Sequence, residues 1–411
     1  MTPASRVAAA IELLAMIEST ARPADAAANE YFRARRFIGS GDRREVSERV
    51  WQILRTRRRL QWWLRETATP RLLVAASLLL QGVAVDLLAG LFSGGRFAAE
   101  RLSAAEQAAL THLVGHTLDH PEMPLAVRLE VPDWILPLLQ ARFGEHLAAE
   151  MVALSEEAPL DLRVNLLKID REGARAALAA EGIIAEPTPR SPWGLRVQGR
   201  RPVTSGAAFR AGLVEIQDEG SQLVAALVGA APEMRVADFC AGAGGKTLAL
   251  AMTMENRGHI VACDVSPSRL DGAVRRLRRA GVHNVERHLL EPGDKWTKRR
   301  ALGFDRVLVD APCTGSGTWR RNPDGRLRLA RRDLDELLVK QASILDQASR
   351  LVRKTGRLVY ATCSLLTEEN ESQVSAFIVR HPAFAEVERL SLTPARDGTD
   401  AFFAVSLERA A

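Results

Sequence analysis

The sequence predicts an α/β protein whose C-terminal half is a doubly wound, Rossmann-like sheet, preceded by a small α+β unit and an all-α N-terminal domain. Three observations predict it. From about residue 216, strand-like runs (MRVADFC, HIVACDV, DRVLVDA, GRLVYATCS) alternate with helical ones such as SPSRLDGAVRRLRRAG. That alternation builds a mostly parallel sheet covered by helices. Each of these strands ends in a polar or reactive cluster, at the edge where such sheets collect ligands. Residues 1–140, by contrast, carry apolar side chains at three- and four-residue spacing, with little strand-like alternation.

A chain of 411 residues exceeds one ordinary core, so two or three domains are expected. Residues 1–140 read as helices, with Val46, Val50, Ile53 and Leu54 marking one buried stripe. Residues 141–215 read as a linker helix and a small α+β unit: LRVNLL and WGLRVQ are strand-like, and DREGARAALAAEGI is a helix stopped by Gly182. Residues 216–411 form the large sheet domain. The longest uncharged run, Leu72 to Val85, is too short to span a bilayer and meets Asp86 directly. Glu12 interrupts the apolar N-terminus, which lacks a cleavage pattern. A cytoplasmic monomer is therefore expected.

Charge and cysteine usage narrow the class. The formal net charge is +6, and arginines crowd the first sixty residues, from Arg33 to Arg59. A basic face suits a polyanion, although interspersed carboxylates would make the same pattern a solvated helical surface. The four cysteines, Cys240, Cys263, Cys313 and Cys363, include no CxxC pair and no zinc-type spacing, so neither a metal nor a disulfide framework is expected.

Residues 238–247 read DFCAGAGGKT, directly after a strand and before a helix. Gly242, Gly244 and Gly245 permit a tight turn, and the helix start behind them offers N–H groups to an anionic group. Cys240, Ala241, Gly242, Ala243, Gly244, Gly245 and Lys246 are thus candidates for holding a cofactor. The spacing matches neither GxGxxG nor the P-loop, whose first glycine would fall at Cys240. Asp264 closes the next strand, at the distance where a carboxylate meets ribose hydroxyls. An adenosine-containing cofactor follows; capping the helix near Ser266 is the competing role for Asp264.

The fourth strand of this run ends in Asp310-Ala311-Pro312-Cys313-Thr314-Gly315 and the fifth in Ala361-Thr362-Cys363-Ser364. A lone cysteine is most often a small buried hydrophobe, the reading adopted for Cys263. Two cysteines at the carboxyl ends of neighbouring strands, one beside Asp310, converge in the crevice.

The segments DFCAGAGGKT, DAPCTGSG and ATCSLLTEEN resemble the motifs of the Sun/Nop-type RNA cytosine-5 methyltransferases, and FRAGLVEIQDEGSQL and GTDAFFAVSLERA resemble that family's flanking segments. The likeness covers residues 160–409. It implies S-adenosyl-L-methionine as cofactor, Cys363 as nucleophile, Cys313 as the thiol that assists release, and Asp310 beside base and cofactor. Cytosine chemistry accounts for a thiol pair: C5 becomes nucleophilic only when a thiolate adds to C6. Neither topology nor that chemistry says which thiol attacks; DNA cytosine-5 methyltransferases use the one after the fourth strand. Amino-group methyltransferases carry Asp/Asn-Pro-Pro-aromatic where this chain has Asp-Ala-Pro-Cys. The family's Asp after strand three has no clear counterpart, since ERHLLEPGD places Leu290 there, with Glu291 and Asp294 nearby.

YFRARRFIGSGDRR resembles the NusB-like helical domain of the bacterial small-subunit ribosomal RNA members, which implies ribosomal RNA as substrate. A flipped-out or single-stranded cytidine is expected, because a stacked base hides C5 and C6. Arg163 and Asn165 at the start of the small unit, and Arg320 and Arg321 after Cys313, are the candidate RNA contacts. Transfer RNA as substrate and a non-catalytic ribosome-assembly factor are the alternatives. A thiol redox protein would not need the glycine loop, nor a dehydrogenase the two thiols.

Overall fold

Strand pairing builds the framework of the site. The computed structural model describes residues 1–199 and 201–411, and its chain divides into two units, 157–318 with 330–411 and 1–156 with 319–329. Among the described residues the strands of the first form two sheets. The larger uses β5 (Arg235–Asp238), β6 (His259–Asp264), β7 (Val285–Leu289), β8 (Phe304–Asp310), β9 (Val352–Thr362), β10 (Phe384–Leu392) and β11 (Phe402–Arg409) in the order β10-β11-β9-β8-β5-β6-β7. Strands β5 to β9 run parallel, and β10 and β11 add an antiparallel edge. Val307, Leu308, Val309, Leu358, Val359 and Tyr360 are all buried, as expected where helices cover both faces. The strand order reverses between β5 and β8, which opens a crevice at their carboxyl ends.

The smaller sheet, β2-β3-β1-β4, comprises β1 (Leu160–Val164), β2 (Ala185–Pro187), β3 (Gly194–Val197) and β4 (Val214–Ile216). It clusters in the same compact unit as the large sheet. Buried polar side chains explain the union. Arg163 Nη1 donates to the carbonyl of Gly245, and Asn165 Nδ2 to those of Gly212 and Ala280. Burial pulls the Arg163 guanidinium down to about 10.

The other unit is helical. The predicted stripe Val46, Val50, Ile53 and Leu54 is buried in its core, and Leu72 to Leu80 are buried throughout the helix Pro70–Leu80. Among the described residues, no helix is long and apolar enough to cross a membrane. Residues 141–156 pack in this unit. So does Trp319–Leu329, the stretch that follows the Cys313 loop. Arg326, fully buried, donates to the Leu154 carbonyl at 2.8 Å, and Asp324 accepts from the Ala24 N–H at 3.0 Å. No local pattern announces such a segment.

Candidate cofactor and thiol site

The glycine turn after β5 begins the site. Gly242 and Gly244 have φ of 55° and 78°, the left-handed region that favours glycine. A Cβ at Gly244 would also stand 3.1 Å from that of Ala273. Gly244 caps the helix Gly245–Thr253 without a side-chain partner, so N–H groups of its first turn remain for a ligand. Asp264 closes the turn from the next strand: Oδ2 accepts from the Gly242 N–H and Oδ1 from the Ser266 N–H, each at 2.8 Å. Asp264 therefore fixes the turn and lines the crevice.

That crevice is a cavity of about 950 Å³ lined by residues 239–243, Asp264, Val265, Leu290, Glu291, Asp310 and Pro312, with Lys340 and Ile344 facing them from the helix Arg331–Ser349. After the third strand, Glu291 lines the cavity. Asp294 is occupied elsewhere, accepting from His288 at 2.6 Å and from the Trp296 N–H at 2.8 Å. Cys240 borders the cavity with its thiol pushed up by burial.

Lys246 joins this pocket to the thiols. It leaves the first turn of its helix and donates to Asp310 Oδ2 at 2.7 Å. Burial works against its charge, but the Asp310 carboxylate outweighs burial and holds its pKa above the ordinary value. Asp238, at the end of β5, is fully buried, and desolvation raises it to about 7 despite a hydrogen bond from Thr247.

The parallel pairing of β8 with β9 sets Asp310 beside Ala361 and brings the two strand-end cysteines together, with Cys313 Sγ 3.5 Å from Cys363 Sγ. Hydrogen bonding to Cys363, then burial, then the Cys363 charge and Glu369 hold the Cys313 thiol well above its usual range. Cys313 therefore keeps its proton while Cys363 is its neighbour. Cys263 is wholly buried in β6, as core.

Sequence reasoning missed the group beneath the thiols. Glu369, Gln341, Asn370 and Ser364 are buried and bonded among the two cysteine loops. The quoted ATCSLLTEEN contains three of them, and the signal was a charged and an amide side chain beside a strand end. The RNA assignments for Arg163, Asn165 and Arg320 meet a different fate. Arg163 and Asn165 are buried and engaged with backbone carbonyls, and Arg320 is buried in the helical unit, where its carbonyl accepts from Arg55. Arg321 is half-buried in the same segment. Among the described residues there is no group of three or more His, Cys, Asp or Glu that could hold a metal ion.

A parallel sheet with an antiparallel edge, a glycine turn after its first strand and a carboxylate after its second defines the class of Rossmann-like methyltransferases. Residues 225–408 match the family model described as 16S rRNA methyltransferase RsmB/F, and residues 131–204 match the ferredoxin-like domain of RsmF/B-like methyltransferases. The chain is 32% identical to ribosomal RNA small subunit methyltransferase B of Xanthomonas campestris over 78% of its own length and 75% of that protein. It is 33% identical to the protein of the same name from Photorhabdus laumondii, over 61% of this chain but only 58% of the relative. The crystal structure of PH0851 superimposes with a TM-score of 0.82 at 25% identity, covering 100% of this chain and 99% of that one. The chain belongs to the 16S rRNA methyltransferase RsmB/F family.

S-adenosyl-L-methionine is the cofactor of this family, and the cavity suits it. The helix start offers N–H groups to a carboxylate, Asp264 presents a carboxylate able to accept from hydroxyls, and Val265 and Leu290 supply apolar walls.

Proposed function

We propose that this protein methylates C5 of a cytidine in ribosomal RNA, with Cys363 as covalent nucleophile and Cys313 as the base that releases the product. The observation that carries the reading is the thiol pair: two sulfurs 3.5 Å apart, of which Cys313 holds its proton. Cys363, which follows the fifth strand as the nucleophile of the resembling family does, takes the attacking role. Residues 240–246 and Asp264 hold the cofactor, which supplies an electrophilic methyl group. Asp310, fixed by Lys246, meets the N3 edge of the base.

The thiolate of Cys363 adds to C6 while N3 gains the proton that the Lys246 ammonium passes through Asp310, and the electron pair of the C5–C6 double bond becomes available at C5. Once C5 carries the new methyl group, its proton must leave. Cys363 is by then a neutral thioether, so its charge and the hydrogen bond to its thiolate no longer hold the proton on Cys313, while burial and Glu369 remain. Cys313 yields that proton to water and takes the one on C5. The double bond re-forms, Cys363 departs as thiolate, and N3 returns its proton. One proton is released overall, and both thiols are regenerated. A base presented this way must be unstacked, so single-stranded or flipped-out cytidine is the substrate form.

The reading is tested with the full-length protein, small-subunit ribosomal RNA and labelled cofactor. Cys363→Ala should bind cofactor and transfer no methyl group. Cys313→Ala should accumulate a protein–RNA adduct that survives denaturation, and sequencing the attached RNA identifies the cytidine. An adduct formed through Cys313 in Cys363→Ala would reverse the roles, and active Cys363→Ala protein would overturn the mechanism.

A further inference from the structure

The two residues that flank Cys313 are held from below by one buried pair. Gln341, from the helix Arg331–Ser349, donates through Nε2 to the Pro312 carbonyl at 3.0 Å and to Glu369 Oε1 at 2.9 Å. Glu369 Oε1 also accepts from the Thr314 N–H at 2.9 Å, while Oε2 accepts from Thr314 Oγ1 at 2.6 Å and from Ser364 Oγ. Both side chains have no solvent exposure. A carboxylate offers acceptors only, and here donors from three separate elements saturate both oxygens. One carboxylate thus ties the residue after Cys313 to the residue after Cys363.

The two thiols depend on it unequally. Cys363 extends β9, whose Thr362 pairs with Phe403 of β11, and the Cys363 carbonyl accepts from the Gly317 N–H at 2.9 Å. That approach is so close that a Cβ on Gly317 would stand 2.9 Å from the same carbonyl oxygen. Cys313 lies beyond the end of β8 in irregular chain, where Pro312 and Thr314 are anchored by Gln341 and Glu369.

We propose that Glu369, with Gln341, is a clasp that positions Cys313 for the release half of the reaction, a positioning role distinct from those of the two thiols. The inference rests on the division of labour proposed above. A clasp acts through its reach and its acceptors. Glu369→Asp shortens the reach by one methylene and keeps the charge. Glu369→Gln keeps the reach, can still accept from Thr314 N and Gln341, and turns its amide toward hydroxyls able to accept.

The test uses the full-length protein with unmodified RNA, following methyl transfer, cofactor affinity and denaturation-resistant adduct together. Glu369→Asp should bind cofactor like the parent and turn over about 10²-fold more slowly. It should also accumulate the Cys363 adduct, as Cys313→Ala does. Glu369→Gln should recover most of the loss, and Thr314→Val, which removes the hydroxyl bonds to Glu369, Ser316 and Ser364 but keeps the Thr314 N–H bond to Glu369, should show a smaller accumulation of adduct. A Glu369→Asp protein that loses adduct formation in step with turnover overturns the clasp, as does Glu369→Gln behaving like Glu369→Asp. If Cys313→Ala itself accumulates no adduct, the division of labour fails first and the clasp falls with it.

Discussion

Cys313 and Cys363 share one crevice but reach it by different means. Cys363 continues a central strand paired on both sides, by β8 and by β11. Cys313 stands in coil, and its loop is anchored by side chains from the helix Arg331–Ser349 and from the chain after β9. A nucleophile gains from a fixed line of attack, since small misplacements cost rate steeply. A base that acts after the adduct has formed needs its own support, because no strand reaches it. The sheet holds one thiol and side chains hold the other.

That contrast is broken most severely at the thiols themselves. Cys363→Ala should lower methyl transfer by roughly 10⁴-fold or more, since no group remains to activate C5. Cys313→Ala should lower turnover by about 10²- to 10⁴-fold, the span usual for a lost acid–base group, while the first methyl transfer persists. Single-turnover measurements separate the two. Equal loss of the first turnover in both variants would show that Cys313 takes part in attack as well as release.

A smaller effect is expected at Asn370, which serves the rigid side. Its Nδ2 donates to the Ser364 carbonyl at 2.9 Å, and its Oδ1 accepts from Thr362 Oγ1, so it secures the chain on either side of Cys363. Asn370→Ala leaves two buried partners unsatisfied and should cost about 1–3 kcal/mol of stability in denaturant titrations. Its kinetic signature should be slower adduct formation with no accumulation, the reverse of Glu369→Asp. Accumulation of adduct in Asn370→Ala would mean that the two loops move as one.

The pattern of what was legible follows the same division. Strand ends carrying chemistry were readable because their residues are contiguous: the glycine turn, Asp264, Asp310 and both thiols lie within short motifs, and alternating strands and helices fix where those motifs meet. The clasp was not readable, because Gln341 lies on a helix remote in sequence and nothing local says that Glu369 is buried. Arg163 and Asn165 misled for a related reason. Their types suggest surface contacts with phosphate, yet carbonyls of Gly245, Gly212 and Ala280, contributed by distant parts of the chain, satisfy them inside the protein. The arginine-rich helices show it too. Arg59 bonds Glu130 and Asp119, and Arg58 bonds Asp133, so part of the apparent basic face is neutralised internally.

The smallest effect concerns Asp238, at the end of β5 and hydrogen-bonded to Thr247. Its folded pKa of about 7 lies above the ordinary value of 3.8, with burial the main cause. Below about pH 4 the group is neutral folded or unfolded. As pH rises toward 7 the unfolded chain ionises first, and stability should fall by about 1.4 kcal/mol per pH unit, on the order of 4 kcal/mol in all, then level off. Asp238→Asn cannot ionise and should flatten that slope while retaining an acceptor for Thr247. Denaturant titrations of both proteins between pH 4 and 8 read the difference directly. An unchanged slope would place the titration elsewhere. A flattened slope with an unaltered pH profile of methyl transfer would show that Asp238 governs stability and not activity.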